Sequence, residues 1–159
     1  GDFFFSCPIL ETALPTAPAE HPVSLQSNVN VYDVLVLSQS CDLVQGKLET
    51  VLVCPHWKIE DFEQRHEYLR SAKGKENVRQ GNVPGFHMIA AYDYPGFKSS
   101  IRLVNFRQVF TLPLSHLSEL ANQQSPRLRL LPPYREHLAQ AFARFIMRVG
   151  LPVDIPSFK

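Results

Sequence analysis

The chain has 159 residues, 45% apolar and 19% charged, with 16 Lys and Arg against 15 Asp and Glu. That balance belongs to a folded globular protein and excludes a disordered or collagen-like one; the length suits one domain with its own core, or one domain plus an appendage. No apolar run nears the roughly 20 residues of a membrane span, the cleanest being Val34-Leu35-Val36-Leu37. Three cysteines are too few for a secreted disulfide scaffold and predict a reducing, cytoplasmic setting without membrane contact. The chain opens on Gly1 with no signal-peptide pattern, as expected of a trimmed chain or a piece of a longer one.

Net charge hides an asymmetry. Residues 1–96 carry seven basic and twelve acidic side chains, and residues 97–159 carry nine and three, or −5 against +6. Such a split marks either a basic surface that meets nucleic acid or two halves whose fields cancel on packing.

In chain order, Gly1 to Leu10 reads as a β-strand, with Pro8 placing its end at an edge. Glu11 to Asn30, interrupted by Pro15, Pro18 and Pro22, reads as a long loop. Val31 to Ser38 is apolar on both faces, as a central strand should be. Gln45-Gly46-Lys47 is a turn signal, and Thr50 to Cys54 is a second strand, stopped by Pro55, that pairs with the first as a hairpin. The period then changes. Ile59, Phe62, His66 and Leu69 share one helical face, which predicts a helix over 59–73 ended by Gly74, then a polar loop to Gly85. Phe86 to Tyr92 and Ser99 to Thr111 read as strands around Tyr94-Pro95-Gly96. Ser115 is placed to cap a helix to Asn122, and Arg127 to Leu131 reads as a last short strand. Pro133 opens a C-terminal helix whose stripe is Leu138, Phe142, Phe145 and Val149, with Gly150 as cap. That stripe is too apolar for water and predicts a helix docked on its own sheet.

The expected architecture is mainly β with helices (α+β): one domain over 1–159, a small twisted antiparallel barrel with an inserted helix through 122, and a C-terminal strand and helix extension over 127–159. The Gly1-Asp2 opening, Val34-Leu35-Val36-Leu37-Ser38, Gly46, and Val51-Leu52-Val53-Cys54-Pro55 resemble the small barrel of the bacterial MazF/PemK-like toxin ribonucleases. Phe106-Arg107-Gln108-Val109 and the helix from Ser115 are similar to that family's late strand and terminal helix. The resemblance covers residues 1–122 and rests on short apolar motifs. It implies a nucleic-acid-associated barrel with RNA or DNA, an antitoxin-like protein or a second copy as partner. It also implies that the catalytic pair is lost. The family cleaves RNA with an Arg from the loop after the first strand and a Thr just beyond the proline, whereas here the first Arg is Arg65 and the Thr position falls on His56 or Trp57. The expectation is therefore an accessory binding module. Ser38 to Asp42 also resembles a segment of bacterial proteins to which no function attaches.

An enzyme is the competing expectation, centred on Cys41 or His56. Cys41 follows a strand and lies beside Asp42, whose charge would disfavour a thiolate. His56 is of the one type that titrates near neutrality. Hairpin arithmetic sets Cys41 and His56 about 16 Å apart, at ~3.3 Å per residue. The plain alternatives are a small buried hydrophobe at Cys41 and a strand-end polar residue at His56. Cys7, Cys41, Cys54 and His56 lack the spacing of structural zinc ligands. With no phosphate-binding glycine loop or dinucleotide fingerprint, neither a metal nor a cofactor is expected. The nucleic-acid candidates are Arg127, Arg129, Arg135, Arg144 and Arg148; the alternative is solvated faces and helix-dipole compensation. Tyr92, Tyr94 and Phe97 form either an aromatic ligand platform or turn packing.

Overall fold

The computed structural model describes residues 1–13 and 26–147. Within them the chain is α+β: a six-stranded antiparallel sheet, a two-stranded ribbon and five α-helices. Strands β1 (Phe3–Ala13) and β2 (Gln26–Val36) form a ribbon paired from Phe3↔Leu35 out to Ala13↔Gln26. The expected loop over 11–30 is therefore strand at both its ends. Glu11 accepts from Asn30 Nδ2 at 2.6 Å and from the Tyr32 hydroxyl at 2.8 Å, so polar side chains stitch the ribbon where they had suggested a loop. The three prolines lie outside the described residues.

Helix α1 (Ser40–Val44) links β2 to β3 (Thr50–Lys58), the strand on which the sheet is organised. Val34, Leu35 and Val36 pair with Pro55, Cys54 and Val53, the expected antiparallel neighbours. On its other side β3 is shared. Its first half pairs with β8 (Phe110–Pro113) and its second with β7 (Arg102–Asn105), which in turn pairs with β4 (Phe86–Ile89). Pro55 does not stop the strand. It falls at the seam between the β8 and β7 ladders, where a missing N–H breaks no pairing. The Cys54 thiol fills the same seam, donating to the Asn105 carbonyl at 2.8 Å. The pairings among the described residues run β1-β2-β3-β7-β4 and leave β1 and β4 as ends, so the sheet is not closed.

The helix expected over 59–73 is broken. Helix α2 (Ile59–Arg65) gives way to a 3₁₀ turn (Glu67–Arg70) and then to α3 (Ala72–Arg79). Ser71 starts the new helix by accepting the Gly74 N–H at 3.0 Å. Gly74 lies inside α3, where a Cβ would stand 1.7 Å from the Tyr68 carbonyl oxygen. It is there for a close approach, not a helix stop. Downstream, β5 (Tyr92–Tyr94) and β6 (Phe97–Ser99) make the small ribbon around Gly96, whose φ is 82°. Helix α4 spans Leu114–Gln123 with Pro113, not Ser115, at its cap. The strand expected over 127–131 reduces to one bridge, Asp2↔Arg129.

The buried side chains form three clusters. Ile59, Phe62, Leu69 and Val78 pack α2, the 3₁₀ turn and α3 against Phe86 of β4 and Leu103 of β7. Two more lie on the two faces of the sheet. One joins Cys7, Ile9, Val34, Val36, Val51, Val53 and Leu112 to Leu117 and Leu120 of α4. The other joins Phe3, Leu35, Cys54, Val104 and Phe106 to Leu138 of α5 (Tyr134–Ile146). Leu138 is 2% exposed, and the Phe142 and Phe145 rings lie 5.4 and 6.1 Å from Phe106, so α5 docks on its own sheet. Val149, Gly150 and Arg148 lie outside the described residues.

Candidate functional site

Three strands each place one polar side chain on the α5 face, two residues from an apolar one: Asp33 beside Leu35, His56 beside Cys54, Arg102 beside Val104. Residues two apart on a strand share a face, and the register His56↔Val104 brings the three together. Arg102, 5% exposed, is the hub. Its Nε donates to His56 Nδ1 at 2.7 Å, its Nη2 to Asp33 Oδ2 at 2.6 Å and its Nη1 to Ser99 Oγ at 3.3 Å. The Phe5 ring covers the guanidinium, 5.6 Å from its centroid.

His56 is fully buried, with the edges of Phe3 and Phe5 packed against its ring at 5.2 and 5.9 Å. Burial first, and the Arg102 charge second, push its pKa down to about 3. The Val34 carbonyl opposes them slightly, without meeting hydrogen-bond geometry. Since Nδ1 accepts from Arg102, the ring proton of neutral His56 belongs on Nε2, which has no partner among the described residues. At neutral pH this imidazole is an uncharged, inaccessible hydrogen-bond acceptor.

The network's product is the shape of β1. Register breaks between Phe4 and Cys7, and Ser6 takes a left-handed φ of 51°. That conformation costs a non-glycine residue about 1–2 kcal/mol and persists only where surroundings enforce it. Asp33 Oδ1 accepts the Ser6 N–H at 3.0 Å, while the Gln124 side chain bonds both the N–H and the carbonyl of Phe5, at 3.0 and 2.7 Å. The bulge turns Phe5 toward a cavity of about 300 Å³ lined by Phe3, Phe5, Phe97, Gln124, Ser125, Pro126 and Arg127. Arg127 packs on Phe4 at 5.5 Å and donates from Nη1 to the Ala121 carbonyl; its buried Nε has no partner among the described residues.

Of the side chains expected to act, Arg127 lines this cavity. Arg129 makes a two-pronged pair with Asp2, and Arg135 bonds Glu136 and the Ser40 hydroxyl. Arg144 is exposed on α5, where with His137 its charge helps burial hold His87 down to about 4. Cys41 is exposed in α1, its thiol 3.6 Å from Gln39 Oε1, with Asp42 half-buried beside it. No hydrogen bond or ring contact among the described residues joins Cys41 or Asp42 to His56. No group of three His, Cys, Asp or Glu residues placed to hold a metal occurs among them either, and no helix is long and apolar enough to cross a membrane.

Sequence reasoning missed Arg102, Asp33 and Gln124. A signal existed for two of them: Asp33 in Val31–Val36 and Arg102 in Ile101–Val104 are lone opposite charges inside apolar strands, which must be paired if buried. Fold and cavity together define an open antiparallel α+β sheet with an aromatic–arginine pocket at the bulge of its edge strand. No protein-family model matches the chain, and a search of the curated proteins finds no match.

Proposed function

We propose that this chain is a binding module for single-stranded nucleic acid, taking an unpaired base in the Phe3–Phe5–Phe97 cavity and the adjoining phosphates on Arg127 and its basic neighbours. The observation that carries this reading is the cavity's composition: three phenylalanines and an arginine line about 300 Å³. Every base has a π-face to stack on such rings, and a guanidinium serves phosphate. The scaffold, in this reading, is an opened relative of the small MazF/PemK-like barrel without the family's catalytic Arg and Thr, and RNA is the nucleic acid that resemblance implies. Cys41 and His56 take no part in chemistry; His56 supports Phe5 from beneath.

The test is fluorescence anisotropy with a labelled ten-nucleotide oligouridine at several salt concentrations. Phe5→Ala should weaken binding roughly 10- to 100-fold, the usual value of one aromatic stacking contact. Arg127→Ala should weaken it and lower the slope of log Kd against log salt by about one. Circular dichroism confirms that each variant is folded. No binding by the wild type at 50 mM salt, or folded variants that bind as it does, ends the proposal.

A further inference from the structure

A second cleft lies between α2 and the turn joining β7 to β8. It encloses about 100 Å³ between Trp57, Asp61, Phe62, Arg65, His66, Asn105 and Gln108, none of which lines the Phe5 cavity. Its wall is aromatic. His66 stacks on Phe62 at 5.1 Å with an interplanar angle of 20°, and Trp57 meets Phe62 edge-on at 5.2 Å. Its polar groups have capacity to spare. Asn105 Oδ1 accepts the Arg107 N–H at 3.1 Å, which leaves the Asn105 amide donors unused among the described residues. Gln108 Nε2 donates to the Tyr32 hydroxyl at 3.4 Å, which leaves its Oε1 without a partner among the described residues. Asp61 and Arg65 stand one turn apart on α2, exposed and with no side-chain hydrogen bond or ion pair among the described residues.

We infer that this cleft recognises a guanine base. A carboxylate is an acceptor-only fork with two oxygens. Guanine is the one common base that offers it two adjacent donors, the N1–H and an N2–H. Adenine and cytosine place a ring lone pair beside the amino group, facing the carboxylate with repulsion. Uracil flanks its single ring N–H with two carbonyl oxygens. On guanine the atom next to that donor pair is O6, an acceptor, and the unused Asn105 amide supplies the matching N–H. Trp57 and His66 provide stacking surface, and Arg65 at the rim meets the 5′-phosphate. The set of one carboxylate, one amide donor and one guanidinium around an aromatic wall therefore complements a guanine nucleotide edge by edge.

Trp57 is the chain's single tryptophan, so its fluorescence reports this cleft alone. Titrating the intact protein with GMP should give saturable quenching, with an affinity at least about 10-fold tighter than for AMP, CMP or UMP, as one good bidentate contact supplies. Asp61→Asn replaces one acceptor oxygen with a donor and should erase that preference, weakening GMP and strengthening AMP, whose ring lone pair then meets an N–H instead of a carboxylate. Arg65→Ala should weaken GMP more than guanosine. Phe5→Ala should leave the GMP titration untouched, so failure of the single-strand reading and failure of this one are separable. Absence of saturable quenching by GMP, equal affinity for the four nucleotides, or a preference that survives Asp61→Asn would each overturn the assignment.

Discussion

The two faces of the sheet are built from the same strands and obey different rules. The face under α4 is apolar at its centre: Val34, Val36, Val51 and Val53 meet Leu117 and Leu120, and none of the six carries a polar side-chain atom. The face under α5 begins in the same way, with Leu35, Cys54 and Leu138, and then admits Asp33, His56 and Arg102 at its edge. An apolar face needs only volume and shape. A buried polar group needs a partner at a set distance, since leaving it unpaired costs about 1–3 kcal/mol, and more when it is charged. The first face holds the sheet together, and the second holds one strand in one distorted shape.

The sharpest way to break that comparison is Arg102→Met. Deleting the hub strips Asp33 and His56 of their shared partner; breaking a fully buried pair from one side costs about 3–5 kcal/mol, and the half-buried Asp33, which keeps the Ser6 N–H, puts this loss near the lower end. Val53→Ala on the apolar face removes two methyl groups, about 0.8 kcal/mol each plus the cavity, or roughly 2–3 kcal/mol in all. Urea denaturation of both variants ranks the faces; an Arg102→Met loss no larger than that of Val53→Ala would mean the network is dispensable. Leu138→Ala tests the apolar part of the second face and should cost about 2–4 kcal/mol. That loss should be the same at every protein concentration, because α5 covers its own sheet; a concentration-dependent midpoint would instead place the helix in a dimer.

Acid separates the faces more gently. The unfolded chain takes up a proton at His56 near pH 6.5, which the folded chain refuses until about pH 3. Between those values the unfolded state binds more protons, so stability falls as the pH falls, by up to about 1.4 kcal/mol per unit. His87, held down to about 4, adds to the slope above that pH. His56→Gln should flatten the profile measured by urea melts at pH 4, 5 and 6; an unchanged slope would refute the neutral, buried imidazole. At the small end lies the exposed pair Arg129–Asp2, for which Arg129→Ala should cost at most about 1 kcal/mol and less at high salt.

This contrast also explains which parts of the molecule could be read from the chain. Val34 to Leu37, Val51 to Cys54 and the Leu138–Phe142–Phe145 stripe announce themselves because burial on a regular element leaves a period. The hub does not, because its bonds join residues 46 and 69 positions apart. Residue type misled where geometry was special. Gly74 suggested a helix end and serves a close backbone approach; Pro55 suggested a strand end and occupies a seam. Arg127 stands out in the chain for its charge, whereas its place on the cavity wall depends on an irregular segment held to the start of β1 by the Asp2↔Arg129 bridge and by the Phe3 N–H donating to the Leu128 carbonyl at 3.0 Å. Gln124 carried no mark at all, since an amide clasping a strand bulge has no sequence pattern.

The shared strand has a kinetic consequence. Val53 is paired on both sides, to Val36 and to Phe110, and the next residues hand the second ladder from β8 to β7. Fraying of β1 or β4 removes an outer neighbour and leaves these pairs intact. Exposing the amides of β3 requires β2 to leave from one side and two separate strands from the other. Local openings should therefore spare the middle of β3, whose amide hydrogens should exchange with solvent last, at the rate set by unfolding of the whole domain.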